Sequence, residues 1–202
     1  HNDINIWNKD LKNFKRLDVL AEVLSKIKKN TKLISTTGYT SRELFYLRNK
    51  NSYKSNGKDF YMVGGMGHAS AVALGIAMNK AKQEVLCVDG DGSILMHLGS
   101  MRTIGFNNKK NFKHIIFNNG THESVGGQPT HACGIDFKKL SDSLGYKKYF
   151  LATNMSSLKK KIKSFIKSIG PSLFEIKISE GTIKKLPRPK NFIKIKKNFF
   201  LN

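Results

Sequence analysis

Apolar residues at Leu17, Leu20, Val23, Leu24 and Ile27 recur at helical spacing, which predicts an amphipathic helix over 17–29. The pattern then changes to short, nearly continuous apolar runs separated by helical stretches. The runs predict strands at 32–36, 60–63, 85–89, 113–117, 148–152 and 172–178, and the stretches between them predict helices at 41–48, 67–80, 94–105, 136–145 and 156–168. Strands that are apolar throughout, rather than alternating, belong to parallel sheets covered on both faces. The βα alternation therefore predicts an α/β fold: a doubly wound, mainly parallel sheet with helices on both faces. Polar loops are expected at 49–59 and 120–134. One domain over 1–182 is expected, followed by a basic, proline-punctuated C-terminal tail over 183–202 that leaves the core.

Composition removes some functions without naming one. No apolar run approaches the 18 residues of a membrane span, so no membrane partner is expected. Cys87 and Cys133 form no C-x-x-C pair, which suits a reducing compartment and a cytoplasmic protein. The net charge of +22 raises the question of a nucleic-acid partner. However, only Arg16, Arg42, Arg48, Arg102 and Arg188 among the 36 basic residues carry the bidentate fork that base-reading surfaces favour. A lysine-rich solvated surface is the preferred reading, with attraction of an anionic ligand as its consequence.

In a doubly wound sheet the ligand crevice lies outside the carboxyl ends of the strands. Four stretches there carry chemistry: "STTGYTSREL" (35–44), "VGGMGHAS" (63–70), "VDGDGSILM" (88–96) and "NNGTHESVGGQPT" (118–130). A calcium loop counted from Asp89 fails, because its sixth position is Ile94 rather than Gly and its twelfth is Ser100 rather than Glu. A dinucleotide fingerprint at Gly65-Met66-Gly67, with Asp89 as the ribose acid, is a candidate weakened by Ser70 in place of the third glycine. A third reading joins two stretches. Gly90-Asp91-Gly92 and Asn118-Asn119 are separated by 25 residues, about one strand-helix-strand unit, so both fall on neighbouring parallel strands at one sheet edge. Asp91 and Asn119 can then share a cation, and a carboxylate with an amide oxygen suits Mg²⁺ completed by a diphosphate and water. Gly92 and Ser93 offer N–H groups and a hydroxyl to the same anion. The competing reading is a helix-capping aspartate beside an ordinary turn.

"GDGS", 25 residues and "NN" resemble the thiamin-diphosphate motif, and with the other quoted stretches the chain resembles the phosphonopyruvate decarboxylase family over roughly 31–178. The resemblance implies thiamin diphosphate and Mg²⁺ as cofactors, with Asp91, Asn119 and the Thr121 carbonyl as metal ligands. It implies that Gly90, Gly92 and Ser93 hold the diphosphate with Thr37 and Gly38, that Asn119, Thr121 and Ser124 lie against the cofactor, and that Gly64, Gly65 and Met66 support its aminopyrimidine and bent shape. His122 and Glu123 are catalytic candidates beside the reacting carbon, with a solvated loop pair as the alternative. The implied reaction is decarboxylation of phosphonopyruvate, a 3-substituted pyruvate, to phosphonoacetaldehyde and CO₂, the cofactor acting as electron sink. A sulfopyruvate decarboxylase beta-type subunit is the rival of the same class. Because such enzymes need a glutamate from a pyrimidine-binding domain, a partner domain or subunit and a homo- or hetero-oligomer are expected. His68 is expected to be packed, His97 and His114 structural, and Arg42 either an anion contact or the ion-pair partner of Glu43 or another acid.

Overall fold

The computed structural model describes residue 11 and residues 13–50, 53–54 and 59–201. Its sheet has six strands, β1 (Lys32–Ser35), β2 (Asp59–Tyr61), β3 (Val85–Gly90), β4 (Phe112–Asn118), β5 (Lys148–Ala152) and β6 (Ser172–Lys177), in the order β2-β1-β3-β4-β6-β5. Every neighbouring pair is parallel. The predicted doubly wound α/β fold is present, and every predicted strand appears within two residues of its expected ends.

The eight α-helices of the described residues are α1 (Arg16–Lys26), α2 (Tyr39–Arg48), α3 (Ala69–Asn79), α4 (Asp91–Met96), α5 (Gly99–Asn107), α6 (Phe137–Leu144), α7 (Met155–Lys167) and α8 (Phe192–Leu201). None is long and apolar enough to cross a membrane. Alternate strand residues feed two cores. Leu86, Val88, Ile115, Phe117 and Phe174 face one core, closed by α1, α2 and α7, while Val85, Cys87, Phe112, Ile116 and Leu173 face the other, closed by α3, α5 and α6. In α7, Leu158, Ile162 and Phe165 stand at i, i+4 and i+7 and are fully buried, each worth about 1.5–3 kcal/mol of apolar transfer. The Asn154 side chain accepts from the Ser157 N–H and the Ser157 hydroxyl from the Asn154 N–H, which starts α7 in a reciprocal cap.

Two expectations are corrected. The single helix over 94–105 is two helices: α4 begins at Asp91 itself, and the chain breaks at His97 and Leu98 before α5. The break lies beside the Gly67 turn. A Cβ at Gly67 would stand 2.9 Å from the His97 Cβ, so the turn packs directly against the point where the helix stops. The tail over 183–202 does not leave the core. Within it α8 lies across edge strand β2, with Phe199 only 1% exposed, its ring 5.4 Å from Phe60 and its carbonyl bonded to the buried Lys32 ammonium. Of the polar loop expected at 49–59, residues 51–52 and 55–58 lie outside the described residues, as does Asn202 of the tail.

Candidate active site

The chain leaves β1 toward β2 on one side and continues through β3 and β4 on the other, so the strand order reverses between β1 and β3. That reversal opens a crevice at the strands' carboxyl ends, and the loops after β1, β3 and β4 converge on a polar cavity of about 50 Å³. Thr37 reaches it from the first, Gly90, Asp91, Gly92 and Ser93 from the second, and Asn119, Thr121, His122, Glu123 and Ser124 from the third. Met66 enters from the loop after β2. Gly90 pairs with Phe117, so the residues following each lie side by side, as the 25-residue spacing predicted.

Asp91 is the first residue of α4 and only 3% exposed. Its Oδ2 accepts from the Gly120 N–H at 3.1 Å and from the Thr130 hydroxyl at 2.5 Å. Burial pushes its carboxyl above the usual range, opposed by the Thr130 hydroxyl and by the N–H groups of Gly92, Asp91 and Gly120. Asn119 is 5% exposed; its Oδ1 accepts from the Thr121 N–H at 3.2 Å. Ser93 bonds the Thr36 hydroxyl at 2.8 Å and accepts from the Gly67 N–H at 2.9 Å, tying the loops after β1, β2 and β3 together.

The loop after β4 folds back over this cradle. His122 receives its own loop, with its N–H on the Gln128 carbonyl and its carbonyl accepting from Val125 and Gly127. Its imidazole closes on Gly92: a Cβ at Gly92 would stand 2.4 Å from His122 Cε1. Gly38, at φ +86°, meets Ser124 in the same way, with Oγ 2.7 Å from where a Cβ would be. Gly92 is required by close approach alone, and Gly38 both by close approach and by its left-handed φ.

Glu123 does not point freely at the cavity. Its Oε2 accepts from Arg16 Nη2 at 2.8 Å and from Asn119 Nδ2 at 3.2 Å, and its Oε1 accepts from the Gly181 N–H at 2.6 Å. Arg16 also donates to the fully buried Glu43 at 3.1 Å, and Thr182 donates to the other Glu43 oxygen at 2.5 Å. The guanidinium thus joins two carboxylates that lie 80 residues apart, and both anchor the segment 181–182. Burial raises the Glu43 carboxyl despite the neighbouring Arg16 charge.

Other expectations sort clearly. Gly64 and Gly65 adopt left-handed φ of +67° and +55° and shape the turn that carries Met66, but they do not line the cavity. His68, expected to be packed, is exposed instead, with its ring 4.6 Å from that of the exposed His97 and its Nδ1 3.2 Å from the Met66 carbonyl. His114 is structural: its Nδ1 bonds the Tyr146 hydroxyl at 2.9 Å inside the core. Arg42 is not the ion-pair partner of Glu43, which Arg16 holds; its guanidinium lies 5.5 Å from the centre of the Tyr39 ring. Asp89 is fully buried, 3.8 Å from His114 Nε2, with Oδ1 accepting the Gly90 N–H. It has no access to a ribose, which removes the dinucleotide reading. Arg16, Thr36, Tyr39 and Thr130 were not anticipated. No local pattern marks them, since Arg16 meets Glu123 across 107 positions and Thr130 meets Asp91 across 39.

A magnesium diphosphate fits this donor set. Carboxylate, amide and backbone oxygens are hard ligands at the cavity, the Thr121 hydroxyl is buried without a hydrogen-bond partner, and Gly92 carries no side chain that would push His122 away from the cavity wall. The N-terminus of α4 contributes N–H groups in the same place.

Comparison with known proteins agrees with this geometry. The family "Thiamine pyrophosphate enzyme, C-terminal TPP binding domain" matches residues 36–176. The chain is 35% identical over 175 residues to a phosphonopyruvate decarboxylase of Streptomyces viridochromogenes, a match covering 87% of this chain and 42% of that protein. It is 39% identical over 117 residues to sulfopyruvate decarboxylase subunit beta of Methanocaldococcus jannaschii, covering 58% of each. The chain thus spans about half the length of these relatives. Benzoylformate decarboxylase from Polynucleobacter necessarius shares the fold, with a TM-score of 0.71 and 16% identity over 85% of this chain and 34% of that one.

Proposed function

Since the chain belongs to the thiamine pyrophosphate enzyme family through its C-terminal cofactor-binding domain, we propose that it is the diphosphate- and Mg²⁺-binding half of a decarboxylase that converts phosphonopyruvate to phosphonoacetaldehyde and CO₂. One observation carries the reading. The Asp91 carboxylate after β3 is bonded to the Gly120 N–H after β4, so the two halves of the motif meet at the carboxyl ends of two neighbouring parallel strands.

Asp91, Asn119 and the Thr121 carbonyl hold the metal. The N–H groups of Gly92 and Ser93, with the Thr37-Gly38 turn, receive the diphosphate, and Met66 supports the ring system with the Gly64 and Gly65 turn behind it. The bound cofactor supplies the electron sink for loss of CO₂. His122 lies against Gly92 at the cavity edge and is the side chain of this chain placed to hold or pass a proton there. Glu123, predicted as a second catalytic group, acts instead through Asn119 and Arg16, to which its carboxylate is bonded. The glutamate that activates the aminopyrimidine comes from a pyrimidine-binding domain or subunit. The two unpaired cysteines, one buried and one exposed, favour a reducing compartment and hence the cytoplasm.

A second reading, the beta-type subunit of a sulfopyruvate decarboxylase, is favoured by the higher identity to such a subunit. Phosphonopyruvate and sulfopyruvate, offered to the chain with its pyrimidine-binding partner, separate the two. The cofactor assignment is tested on this chain directly. Thiamin diphosphate should raise its melting temperature only when Mg²⁺ is present, and Asp91→Ala should abolish the rise. Stabilisation by NAD in place of thiamin diphosphate would overturn the assignment.

A further inference from the structure

We propose that Thr130 is a positioning residue that sets which oxygen of Asp91 faces the metal; this rests on the reading of Asp91 as the Mg²⁺ ligand. Thr130 is 6% exposed and closes the loop that Gly120 opens. Its N–H donates to the Gly120 carbonyl at 2.9 Å, and Thr121 and Pro129 form an antiparallel bridge just inside. Gly126 and Gly127, at φ of +135° and +76°, turn the chain back between them.

The Thr130 hydroxyl accepts from the Ala132 N–H at 3.3 Å, so its own hydrogen is directed to Asp91 Oδ2 at 2.5 Å. The Gly120 N–H reaches the same oxygen. Both ends of the loop therefore commit Oδ2, the carboxylate is held against rotation, and Oδ1 is left for the cation. One loop thus has two duties. Its first residues supply metal ligands at Asn119 and Thr121, and its last residue orients the ligand at the start of α4. The "QPT" end of the motif acquires a purpose that the metal ligands alone do not give it.

Ligating carboxylates depend on such outer partners, whose loss costs about 10–100-fold in metal affinity. The experiment measures the Mg²⁺ concentration that gives half of the thermal stabilisation by thiamin diphosphate at fixed cofactor. Thr130→Val and Thr130→Ala should raise that concentration by about 10–100-fold, and Thr130→Ser, which restores the hydroxyl, should return it to within about threefold of wild type. The melting temperatures without metal report folding separately, and a purely structural role would lower them without moving the Mg²⁺ midpoint. Unchanged midpoints in Thr130→Val and Thr130→Ala, alongside loss of the response in Asp91→Ala, would overturn the proposal. An unchanged response in Asp91→Ala would instead overturn the metal assignment beneath it.

Discussion

Adding one methyl group at Gly92 tests whether the cradle is built for close approach of an anion. In Gly92→Ala the new Cβ would lie 2.4 Å from His122 Cε1, 2.6 Å from His122 Nδ1 and 2.9 Å from Thr130 Cγ2. Carbon atoms rest at about 3.5–4.0 Å, so the imidazole must withdraw by more than about 1 Å. His122 is half-buried at the cavity edge and can rotate away, at about 0.5–1.5 kcal/mol for a distorted side chain. Thr130 is buried and bonded to Asp91, and yields less readily. Overpacking of this size costs about 1–3 kcal/mol, while alanine returns up to about 1 kcal/mol over glycine inside a helix. The net loss of about 1 kcal/mol should lower the melting temperature by about 2–4 °C for a chain of this length. Ligand binding should suffer far more, because the His122 ring displaced by the methyl lines the cavity in which the Gly92 N–H is to meet a phosphate oxygen. A ligand at a hundred times its Kd stabilises a protein by about 2.7 kcal/mol. Differential scanning fluorimetry with and without thiamin diphosphate and Mg²⁺ should show most of that gain in wild type and little in Gly92→Ala. A variant that melts a few degrees lower yet keeps the full ligand-induced rise would refute the cradle.

Two further outcomes are expected. Phe199→Ala removes a ring that packs on Phe60 at the edge of the sheet, and should cost about 3 kcal/mol in urea unfolding; a change within about 0.5 kcal/mol would mean that α8 contributes nothing to the core. Glu43 carries a carboxyl whose native pKa lies above its ordinary 4.5, chiefly through burial. The native state therefore binds the proton more tightly than the unfolded chain, so the stability it adds is complete below 4.5 and is lost as pH rises through the native value. Glu43→Gln cannot titrate and should flatten this decline, which urea midpoints between about pH 4 and pH 7 would reveal. Parallel pH profiles for the two proteins would show that Glu43 is not the titrating group.

The local order of the fold was legible because strand and helix declare themselves through spacing. Runs such as "HIIF" in β4 could only be strands covered on both faces, and Leu158, Ile162 and Phe165 could only be one face of a helix. Ends were less legible. Asp136 and Gly145, read as helical, are the cap residues of α6, and α4 starts three residues early because Asp91 itself enters the helix. The "FIKIKKNFF" stretch reads as a solvated tail because Phe199 alone in it is buried, and only the presence of edge strand β2 shows what Phe199 covers.

The sequence by itself determined that the strand ends before Asp91 and Asn119 lie side by side, because one strand-helix-strand unit has a fixed length and returns the chain to the same sheet edge. It also determined the glycine positions where the chain must pass close to another part of itself. Tertiary structure alone decided which side chains hold those groups in place. Arg16 between Glu43 and Glu123, and Thr130 on Asp91, are contacts between segments 27 to 107 positions apart. Hydrogen bonds of this kind depend on where loops come to rest in space, and no periodicity along the chain encodes that.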